Sequence, residues 1–460
     1  MKEITEYFTH ETDYPDLDLA GALARLSAAI RCRTVNDGVS DAAFAALREL
    51  MRRSYPAVMA AGIFELVGRS VLITLPGTDG TLRPALFMSH QDVAPVVPGT
   101  EGDWTHPPYA GDIADGYIWG RGALDIKQQV FGVLEAAEYL LSRGGRPART
   151  VYLAFGEDEE TYNRGAQAMS DLLKSRGVTL EFVLDEGETA IGPAAAYGAP
   201  GTFMGEINLM EKGYADLELS VKSEGGHSSR PWGGTSLGRL AAAIAAVTDA
   251  PYPAELSPPV RQTFAALAPY ITEEPLRTLI RDPDKNADAI ARYCVTVPAL
   301  FPLVTTTVAP TMIRGGSDAC NVLPQNMEAA VNFRIACGHT AGEVFARCRA
   351  AVGDQGVALR FLQANDPSAV ARTDGLGYER LTAALGRYFG PVVYVPTLSV
   401  GATDARRYEQ ICDACLRCSP FVGSREEVAR GVHGTDEKLS IRAYAQGIRV
   451  LIALLTDTCL

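Results

Sequence analysis

The sequence predicts a two-domain α/β protein: a mostly parallel sheet with helices on both faces, interrupted by an inserted α+β module. Three observations lead to this prediction. The first half contains four short apolar runs, a helix-periodic segment separates two of them, and the pattern changes to strict alternation after about residue 206. Because a single core has usually stopped growing at a length of 460 residues, two domains are expected.

The first half has the order of strands and crossover helices that is typical of α/β architecture. Helices are predicted between residues 20 and 60 from the spacing of their apolar side chains. The four runs that follow are too short for helices and too continuous for strands with one wet face. Residues 128–142, between the second and third runs, keep helical spacing. The runs are Val71–Leu75, Ala85–Met88, Val151–Phe155 and Phe182–Leu184.

The inserted module is predicted from a different sheet pattern. Residues 215–222 alternate apolar and polar side chains, which indicates a strand with one face in water. A helix is expected over 236–247, and further strands over 327–335 and 357–363. The predicted divisions are 1–205 for the first part of the main domain, 206–365 for the module, and 366–460 for the second part, with a final helix over 440–456.

Composition and charge exclude several classes of partner. Lys and Arg total 42 against 55 Asp and Glu, a net charge of −13, so electrostatic binding to nucleic acid or an anionic membrane is unfavourable. The acidic N-terminal segment does not have the pattern of a secretory signal, and no apolar run approaches the roughly 20 residues of a membrane span. The nine cysteines are scattered, including Cys412, Cys415 and Cys418 at three-residue intervals, which lack a nearby fourth ligand. We therefore expect a cytoplasmic protein with free thiols.

Acidic and imidazole side chains follow the predicted strands. His90 and Asp92 follow the second run, Asp125 lies at the head of the crossover helix, and residues 157–160 and 185–186 follow the third and fourth runs. Ligand sites in open α/β sheets gather at the carboxyl ends of strands, where so many carboxylates would repel one another without cations. Imidazole and carboxylate ligands suit zinc, cobalt or manganese. In this arrangement Asp92 would fix the tautomer of a ligating His90.

Eight stretches of the sequence, in the same order along the chain, resemble one family. This is the family-twenty metallopeptidases of aminoacylase, carboxypeptidase S, glutamate carboxypeptidase and succinyl-diaminopimelate desuccinylase. The GEDEE and GATDAR forms look closest to the carboxypeptidase S and N-acyl-amino-acid hydrolase branch. The stretches are LFMSHQDVAPV at 86–96, DGYIWGRGALDIK at 115–127, FGEDEE at 155–160, VLDEGE at 183–188, GGHSSRP at 225–231, NVLP at 321–324, GATDAR at 401–406 and VHGTDEKLS at 432–440.

The resemblance implies a site with two divalent metal ions. Zinc is the first choice, and cobalt and manganese are alternatives. His90 and Asp185 would bind one ion, Glu160 and His433 the other, and Asp125 would bridge them. These five residues lie in the two parts of the main domain, which would then be the catalytic domain.

The resemblance also implies roles for residues that do not bind metal. Glu159 would be the general base, and His227, in the module, would stabilise the developing oxyanion. The module would then be a lid or dimerisation domain, so a homodimer is possible. Two positions depart from the family pattern: Glu157 stands where carboxypeptidase S-like members often have His, and Asp436 where Asn is common. The residues that would hold the carboxylate of the substrate are Asn321, Arg334, Gly401 and Thr403.

The implied activity is hydrolysis, by metal-activated water, of an amide next to a free carboxylate. The substrate would be a peptide cut at its C-terminal bond or an N-acyl amino acid. Dipeptidase and small N-acyl deacylase activities remain open, because they share the ligands and differ in the shape of the pocket. A non-catalytic relative that only binds its ligand is a further alternative. It would be expected to lack the base or a metal ligand, and the sequence has both.

Overall fold

The computed structural model describes residues 4–460. Its α-helices are, in chain order, α1 Leu19–Ile30, α2 Asp41–Ser54, α3 Pro56–Ala61, α4 Lys127–Ser142, α5 Arg164–Ser175, α6 Ser236–Asp249, α7 Pro258–Leu267, α8 Leu276–Leu279, α9 Ala287–Val295, α10 Phe301–Val304, α11 Ala341–Val352, α12 Leu376–Tyr388, α13 Arg425–Gly431 and α14 Ile441–Cys459. Its strands are β1 Ile63–Val67, β2 Ser70–Leu75, β3 Ala85–His90, β4 Ile113–Ala114, β5 Tyr117–Trp119, β6 Val151–Gly156, β7 Phe182–Asp185, β8 Ala190–Ala194, β9 Ala199–Glu211, β10 Gly213–Lys222, β11 Gly226–His227, β12 Thr307–Gly315, β13 Val322–Leu323, β14 Asn326–Ile335, β15 Ala358–Asn365, β16 Val392–Ser399, β17 Cys415–Arg417, β18 Gly423–Ser424 and β19 Lys438–Ser440.

These elements form two units, each with its own buried cluster of apolar side chains. Unit 1 comprises the described part of Met1–Ala195 together with Ala199–Met210 and Ala369–Leu460. Unit 2 comprises Ala196–Gly198 and Glu211–Ser368.

Unit 1 contains a ten-stranded sheet with the strand order β1-β2-β6-β3-β7-β17-β9-β8-β18, and β16 pairs with β9. Its centre, β6-β3-β7-β17, is parallel. The prediction of an α/β fold around a mainly parallel sheet is confirmed. The first apolar run is an exception, because β2 is antiparallel to both β1 and β6. A tight turn at Gly68 and Arg69 joins β1 to β2 as a hairpin, which forces this direction.

The crossover helix α4 lies in the core of unit 1. Its residues 127–137 are all buried, and the helix packs against α1, α3 and the final helix α14. Residues 130–137 of α4 are mostly apolar, as expected of a helix buried on several sides. The helix also begins two residues after Asp125, so its position fixes the loop that carries this carboxylate.

Unit 2 contains a four-stranded antiparallel sheet in the order β12-β14-β10-β15, with α6 and α11 packed against it. The alternation predicted for residues 215–222 is present in β10: Ala215, Leu217, Leu219 and Val221 are buried, whereas their polar neighbours are partly or fully exposed. The predicted module, 206–365, includes all four strands of this sheet. A separate two-stranded ladder pairs β11 with β13.

Two further features concern helices and thiols in the described part of the chain. None of its helices is both long and apolar enough to cross a membrane. The nine cysteines are free thiols.

Candidate active site

The carboxyl ends of three neighbouring parallel strands bring the acidic and imidazole side chains to one edge of the unit 1 sheet. Strand β3 ends at His90, β6 is followed by residues 157–160, and β7 ends at Asp185. Since β6, β3 and β7 are adjacent and parallel, these ends lie side by side.

The first group of ligand atoms is formed by His90, Asp125 and Glu186. The Nε2 atom of His90 lies 3.2 Å from Oδ1 of Asp125 and 3.4 Å from Oε1 of Glu186. The other ring nitrogen, Nδ1, is 3.0 Å from the backbone carbonyl oxygen of Asp92. A proton on Nδ1 that is donated to this carbonyl leaves the lone pair of Nε2 directed at the two carboxylates, as a metal ligand requires.

The second group is formed by Asp125, Glu160 and His433. The Nε2 atom of His433 lies 3.1 Å from Oδ2 of Asp125 and 3.0 Å from Oε2 of Glu160. His433 has a φ of 58°, and its backbone carbonyl accepts a 3.0 Å hydrogen bond from Arg121. Asp125 thus directs one oxygen to each histidine, which is the arrangement of a bridging carboxylate.

The structure brings Glu186, and not the predicted ligand Asp185, into the first group of ligand atoms. In the described residues, the ligand atoms that lie within 4.8 Å of one another include Glu186, and Asp185 belongs to neither group. The carboxylate of Asp185 accepts hydrogen bonds from the backbone N–H groups of Glu186 and Ala405, both at 2.8 Å. Consecutive residues at the end of a strand point to opposite sides. For this reason Asp185 and Glu186 cannot both face His90.

The donor set fits divalent cations. Three carboxylates and two imidazoles converge, and neither group contains a cysteine. Burial and the nearby charges of Asp125 and Asp185 raise the pKa of Glu186 to about 8, against the opposing effect of His90. Hydrogen bonds with Asp125 and Glu160 raise the pKa of His433 to about 10. Both shifts reflect the negative charge that the carboxylates bring together here, and zinc, cobalt or manganese would compensate this charge at ligands of these types.

Glu159 lies beside the first group without belonging to it. Its Oε2 atom is 4.0 Å from Nε2 of His90, and its side chain is 14% exposed. Burial and the charge of Glu186 raise the pKa of Glu159 well above its ordinary value. A carboxylate with a raised pKa that faces the ligand cluster is suited to accepting a proton.

Asp92 connects the two groups. It is buried, and its Oδ1 and Oδ2 atoms accept 3.1 Å hydrogen bonds from the backbone N–H groups of Glu159 and Glu160, respectively. Asn36 donates a further bond of 2.9 Å to Oδ2 of Asp92. The same residue that contacts Nδ1 of His90 therefore also positions the loop that carries Glu159 and Glu160.

Sequence reasoning missed the residues that hold the Asp125 loop. One oxygen of the buried Glu437 accepts hydrogen bonds of 2.7–3.0 Å from the backbone N–H groups of Gly122, Leu124 and Asp125. Its other oxygen pairs with Arg121 at 2.7 Å. Both residues lie inside stretches that carry the family resemblance. A buried ion pair between two such stretches, however, cannot be recognised from one sequence.

In unit 2 the structure brings together His227 and Asn321. His227 on β11 pairs with Val322 on β13, and the backbone carbonyl of Asn321 accepts a 2.8 Å bond from Ser228. The Nδ1 atom of His227 accepts the backbone N–H of Ser229 at 3.1 Å, which places the ring proton on the exposed Nε2. Arg334 lies elsewhere, on β14, with its guanidinium 4.8 Å from the centroid of the Tyr214 ring.

Gly401 and Thr403 lie in a bend of unit 1 that follows β16. The backbone N–H of Gly401 donates to Ser399 at 3.1 Å. The buried hydroxyl of Thr403 accepts the backbone N–H of Ala405 at 3.3 Å and caps the short helical turn at 404–408.

The two departures from the family pattern have local contacts outside both ligand groups. Glu157 pairs with Arg69 at 3.2 Å. Asp436 accepts bonds of 2.6 and 2.8 Å from the backbone and hydroxyl of Thr105. Each acidic residue therefore fixes a loop next to the cluster.

Comparison with known proteins identifies the family. Residues 86–457 match the model of Peptidase family M20/M25/M40. The chain belongs to this family. The resemblance inferred from the sequence motifs is confirmed, and the M20 chain is a metallohydrolase that acts on amide bonds.

Two relatives and one solved structure illustrate the match. The M20 chain is 34% identical to "N-fatty-acyl-amino acid synthase/hydrolase PM20D1.1" of Danio rerio, over 99% of this chain and 90% of the relative. It is 32% identical to "Probable carboxypeptidase S-like 2" of Dictyostelium discoideum, over 97% and 86%. The fold matches the M20 family metallo-carboxypeptidase Sso-CP2 of Sulfolobus solfataricus with a TM-score of 0.71 and 16% identity, over 95% and 98%.

Proposed function

We propose that this chain is a two-metal amidohydrolase that cleaves an amide next to a free carboxylate, either a C-terminal peptide bond or the bond of an N-acyl amino acid. The observation that carries the proposal is the division of Asp125 between two ligand groups. Its Oδ1 atom faces His90 and its Oδ2 atom faces His433.

The ligands of the proposed ions follow from these groups. His90, Asp125 and Glu186 would hold one ion, and Asp125, Glu160 and His433 the other. Zinc is the first choice, with cobalt and manganese as alternatives. When bound, such ions supply a Lewis acid for the amide carbonyl and lower the pKa of a water molecule.

The side chains of the chain itself supply the proton transfers. Glu159 takes a proton from the attacking water and returns it to the leaving amine, as its raised pKa and its place beside His90 support. Asp92 holds both Glu159 and the imidazole of His90 in place.

The proposal also includes the substrate contacts that the family resemblance implies. His227 donates a hydrogen bond from its Nε2–H group to the developing oxyanion, because Nδ1 is already an acceptor. Asn321, Arg334, Gly401 and Thr403 hold the carboxylate of the substrate, for which the planar guanidinium of Arg334 is well suited. A homodimer through unit 2 belongs to the same proposal.

The two relatives favour this substrate class. One is named for N-fatty-acyl amino acids and the other for carboxypeptidase S. Both kinds of substrate have an amide next to a carboxylate. The nine free thiols support a reducing, cytoplasmic location.

The test combines elemental analysis with hydrolysis of a panel of N-acyl amino acids, dipeptides and N-terminally blocked peptides, before and after chelation. We expect about two ions per chain, and activity that chelation removes and zinc, cobalt or manganese restores. Hydrolysis that survives complete metal removal would overturn the proposal. A panel in which amidated analogues are cut as fast as free carboxylates would overturn the substrate class.

A further inference from the structure

Two of the three regularly spaced cysteines, Cys412 and Cys415, line a cavity of about 380 Å³ in unit 1. Its wall also includes Arg83, Gln410 and Asp413, which are exposed. None of the residues of the two ligand groups lines this cavity. The thiol pair is therefore separate from the site described above and within reach of small solutes.

The surroundings of Cys412 favour its thiolate. The backbone N–H of Ala414 donates to its sulfur at 3.4 Å, and the thiol of Cys415 donates to the backbone carbonyl of Cys412 at 3.9 Å. Contact with the thiol of Cys415, the N–H of Ala414 and the charge of Arg83 hold the pKa of Cys412 below its ordinary value, against burial and Asp413. The same contact raises the pKa of Cys415 well above its ordinary value. The pair thus consists of a nucleophilic sulfur and a protonated partner, the combination found in reactive dithiols.

The third cysteine of the series differs from this pair. Cys418 is fully buried, does not line the cavity, and has its pKa raised to about 12 by burial. A thiol that is fully buried and lines no part of the cavity is inert. The three-residue repeat therefore contains one dithiol pair and one packing residue.

We propose that Cys412 and Cys415 are a modification site: a dithiol that reacts with a peroxide and closes to a reversible disulfide. The thiolate of Cys412 attacks one peroxide oxygen, which breaks the O–O bond, gives a sulfenic acid and releases the other oxygen as hydroxide or alkoxide. The sulfur of Cys415 then displaces the hydroxyl group from this sulfenic acid. A disulfide forms, and the proton of Cys415 leaves with that hydroxyl as water. The peroxide accepts the two electrons that the thiols lose.

The position of this pair connects it to the strand that leads to Glu186. Cys415 begins β17, which pairs in parallel with β7 so that Cys415 is opposite Val183 and Arg417 is opposite Asp185. The turn before Cys412 contains Ala405, whose N–H donates to Asp185. A covalent bond between positions 412 and 415 therefore changes the segment that supports Asp185 and Glu186, and it lowers hydrolysis. This last step rests on the proposed function.

The experiment treats the folded protein with hydrogen peroxide, blocks the remaining thiols by alkylation, and maps the cysteines by mass spectrometry. Cys412→Ser and Cys415→Ser remove the two partners, and Cys418→Ala is the matched control from the same series. We expect a disulfide between Cys412 and Cys415 in the wild type and in Cys418→Ala, reversed by dithiothreitol. In Cys415→Ser we expect a sulfenic acid on Cys412, trapped by dimedone.

Two results would overturn the proposal. One is an unmodified Cys412 in peroxide-treated wild type whose circular dichroism is native. The other is a disulfide between Cys415 and a different cysteine that forms in Cys412→Ser as readily as the Cys412–Cys415 disulfide forms in wild type. Hydrolysis is measured on the same samples, and we expect a severalfold fall that dithiothreitol reverses and that Cys415→Ser lacks. Full activity in a completely oxidised protein would overturn the link to Glu186, whereas inactivity of the reduced protein would count against the proposed function.

Discussion

At the scale of single residues, the site depends on which of two adjacent carboxylates faces His90. The resemblance to the metallopeptidase family implies that Asp185 is the ligand. Glu186 faces the imidazole at 3.4 Å, while Asp185 accepts backbone N–H groups, including that of Ala405. The contact with Ala405 joins positions 220 residues apart, so a local pattern cannot reveal it.

This distinction predicts opposite outcomes for two isosteric substitutions. Glu186→Gln removes a charged ligand and should lower the metal content from about two ions per chain toward one. Asp185→Asn retains an acceptor for the N–H of Ala405 and should keep both ions. Elemental analysis after dialysis against a weak chelator checks both variants. Metal loss only in Asp185→Asn would contradict the assignment.

The role proposed for Glu159 predicts that a substitution there lowers turnover without changing the metal content. Glu159→Gln retains the size of the side chain and cannot accept the proton, so we expect kcat to fall by about 10²- to 10⁴-fold. The metal content should stay at the wild-type value, because Glu159 belongs to neither ligand group. Steady-state kinetics and elemental analysis of one preparation check this. Wild-type turnover would remove Glu159 from the role of base.

The buried Lys212 should make the free energy of unfolding depend on pH. Its ammonium group is buried and donates to the carbonyl oxygens of Pro302 and Thr305 at 2.8 and 2.7 Å. Burial and the charge of Arg334 lower its pKa from 10.5 to about 7. Between these values the unfolded chain binds more protons, so the contribution of Lys212 to stability grows as the pH rises and is lost as the pH falls toward 7.

The measurement compares wild type with Lys212→Met by urea unfolding at pH 7, 8 and 9. We expect the free energy of unfolding of wild type, minus that of the variant, to increase over this range. The slope should be at most about 1.4 kcal/mol per pH unit. Parallel pH profiles for the two proteins would show that the pKa of Lys212 is not lowered in the folded state.

At the scale of elements, the site is organised by what holds the loops at the strand ends. The loop that carries Asp125 gives three backbone N–H groups to one oxygen of Glu437. Glu437 lies just before β19, which pairs with β5 at Trp119, close to the start of the same loop. One carboxylate therefore fixes the height of Asp125 above the sheet.

This arrangement predicts a large effect from a residue that contacts no metal. Glu437→Ala leaves three buried N–H groups without their acceptor, at about 1–3 kcal/mol each. We expect the free energy of unfolding to fall by more than about 3 kcal/mol and metal affinity to weaken. Glu437→Gln keeps an acceptor and should recover most of both quantities. Denaturant unfolding and competition with a chelating dye measure them, and equal behaviour of the two variants would contradict this explanation.

Most of the secondary-structure elements can be predicted from the sequence. Continuous apolar runs predict buried strands, and each of the four runs is a strand, because burial on both faces demands such composition. The direction of β2 was not predictable in this way. An apolar run has the same composition in either direction, and the hairpin with β1 decides the direction.

At the scale of the whole molecule, both ligand groups lie in unit 1 although their residues span positions 90 to 433. Unit 2 interrupts the chain of unit 1, and the chain leaves and re-enters unit 1 at neighbouring points. In unit 1 the N–H of Ala371 donates to the carbonyl of Leu209 at 2.8 Å. In unit 2 the N–H of Ser368 donates to the carbonyl of Glu211 at 3.0 Å. Since each unit has its own buried cluster, each has what a folding unit needs.

This geometry predicts that unit 2 can be removed. In a variant with residues 211–368 replaced by a short Gly-Ser linker, we expect cooperative unfolding and about two ions per chain, with hydrolysis lost because His227 is absent. Circular dichroism, elemental analysis and the substrate panel check the three expectations. A folded variant without metal would show that the ligand groups need unit 2.

Much of the candidate site could also be predicted from the sequence. The strand-end rule places His90, Asp125 and Glu160 on one edge from sequence alone, because the rule depends only on topology. The resemblance adds His433, which lies in a loop of positive φ with no distinctive local pattern. The ion pair of Arg121 and Glu437 could not be predicted, because it depends on packing between stretches 316 residues apart.

The buried carboxylate of Asp92 has a consequence for how this enzyme can evolve. One of its oxygens lies 3.4 Å from Nδ1 of His90, and its two oxygens accept the N–H groups of Glu159 and Glu160, so a mutation there disturbs both ligand groups and Glu159 at once. We expect substitutions at these four positions to be strongly epistatic. Variation in specificity that leaves this network intact is then confined to residues outside it.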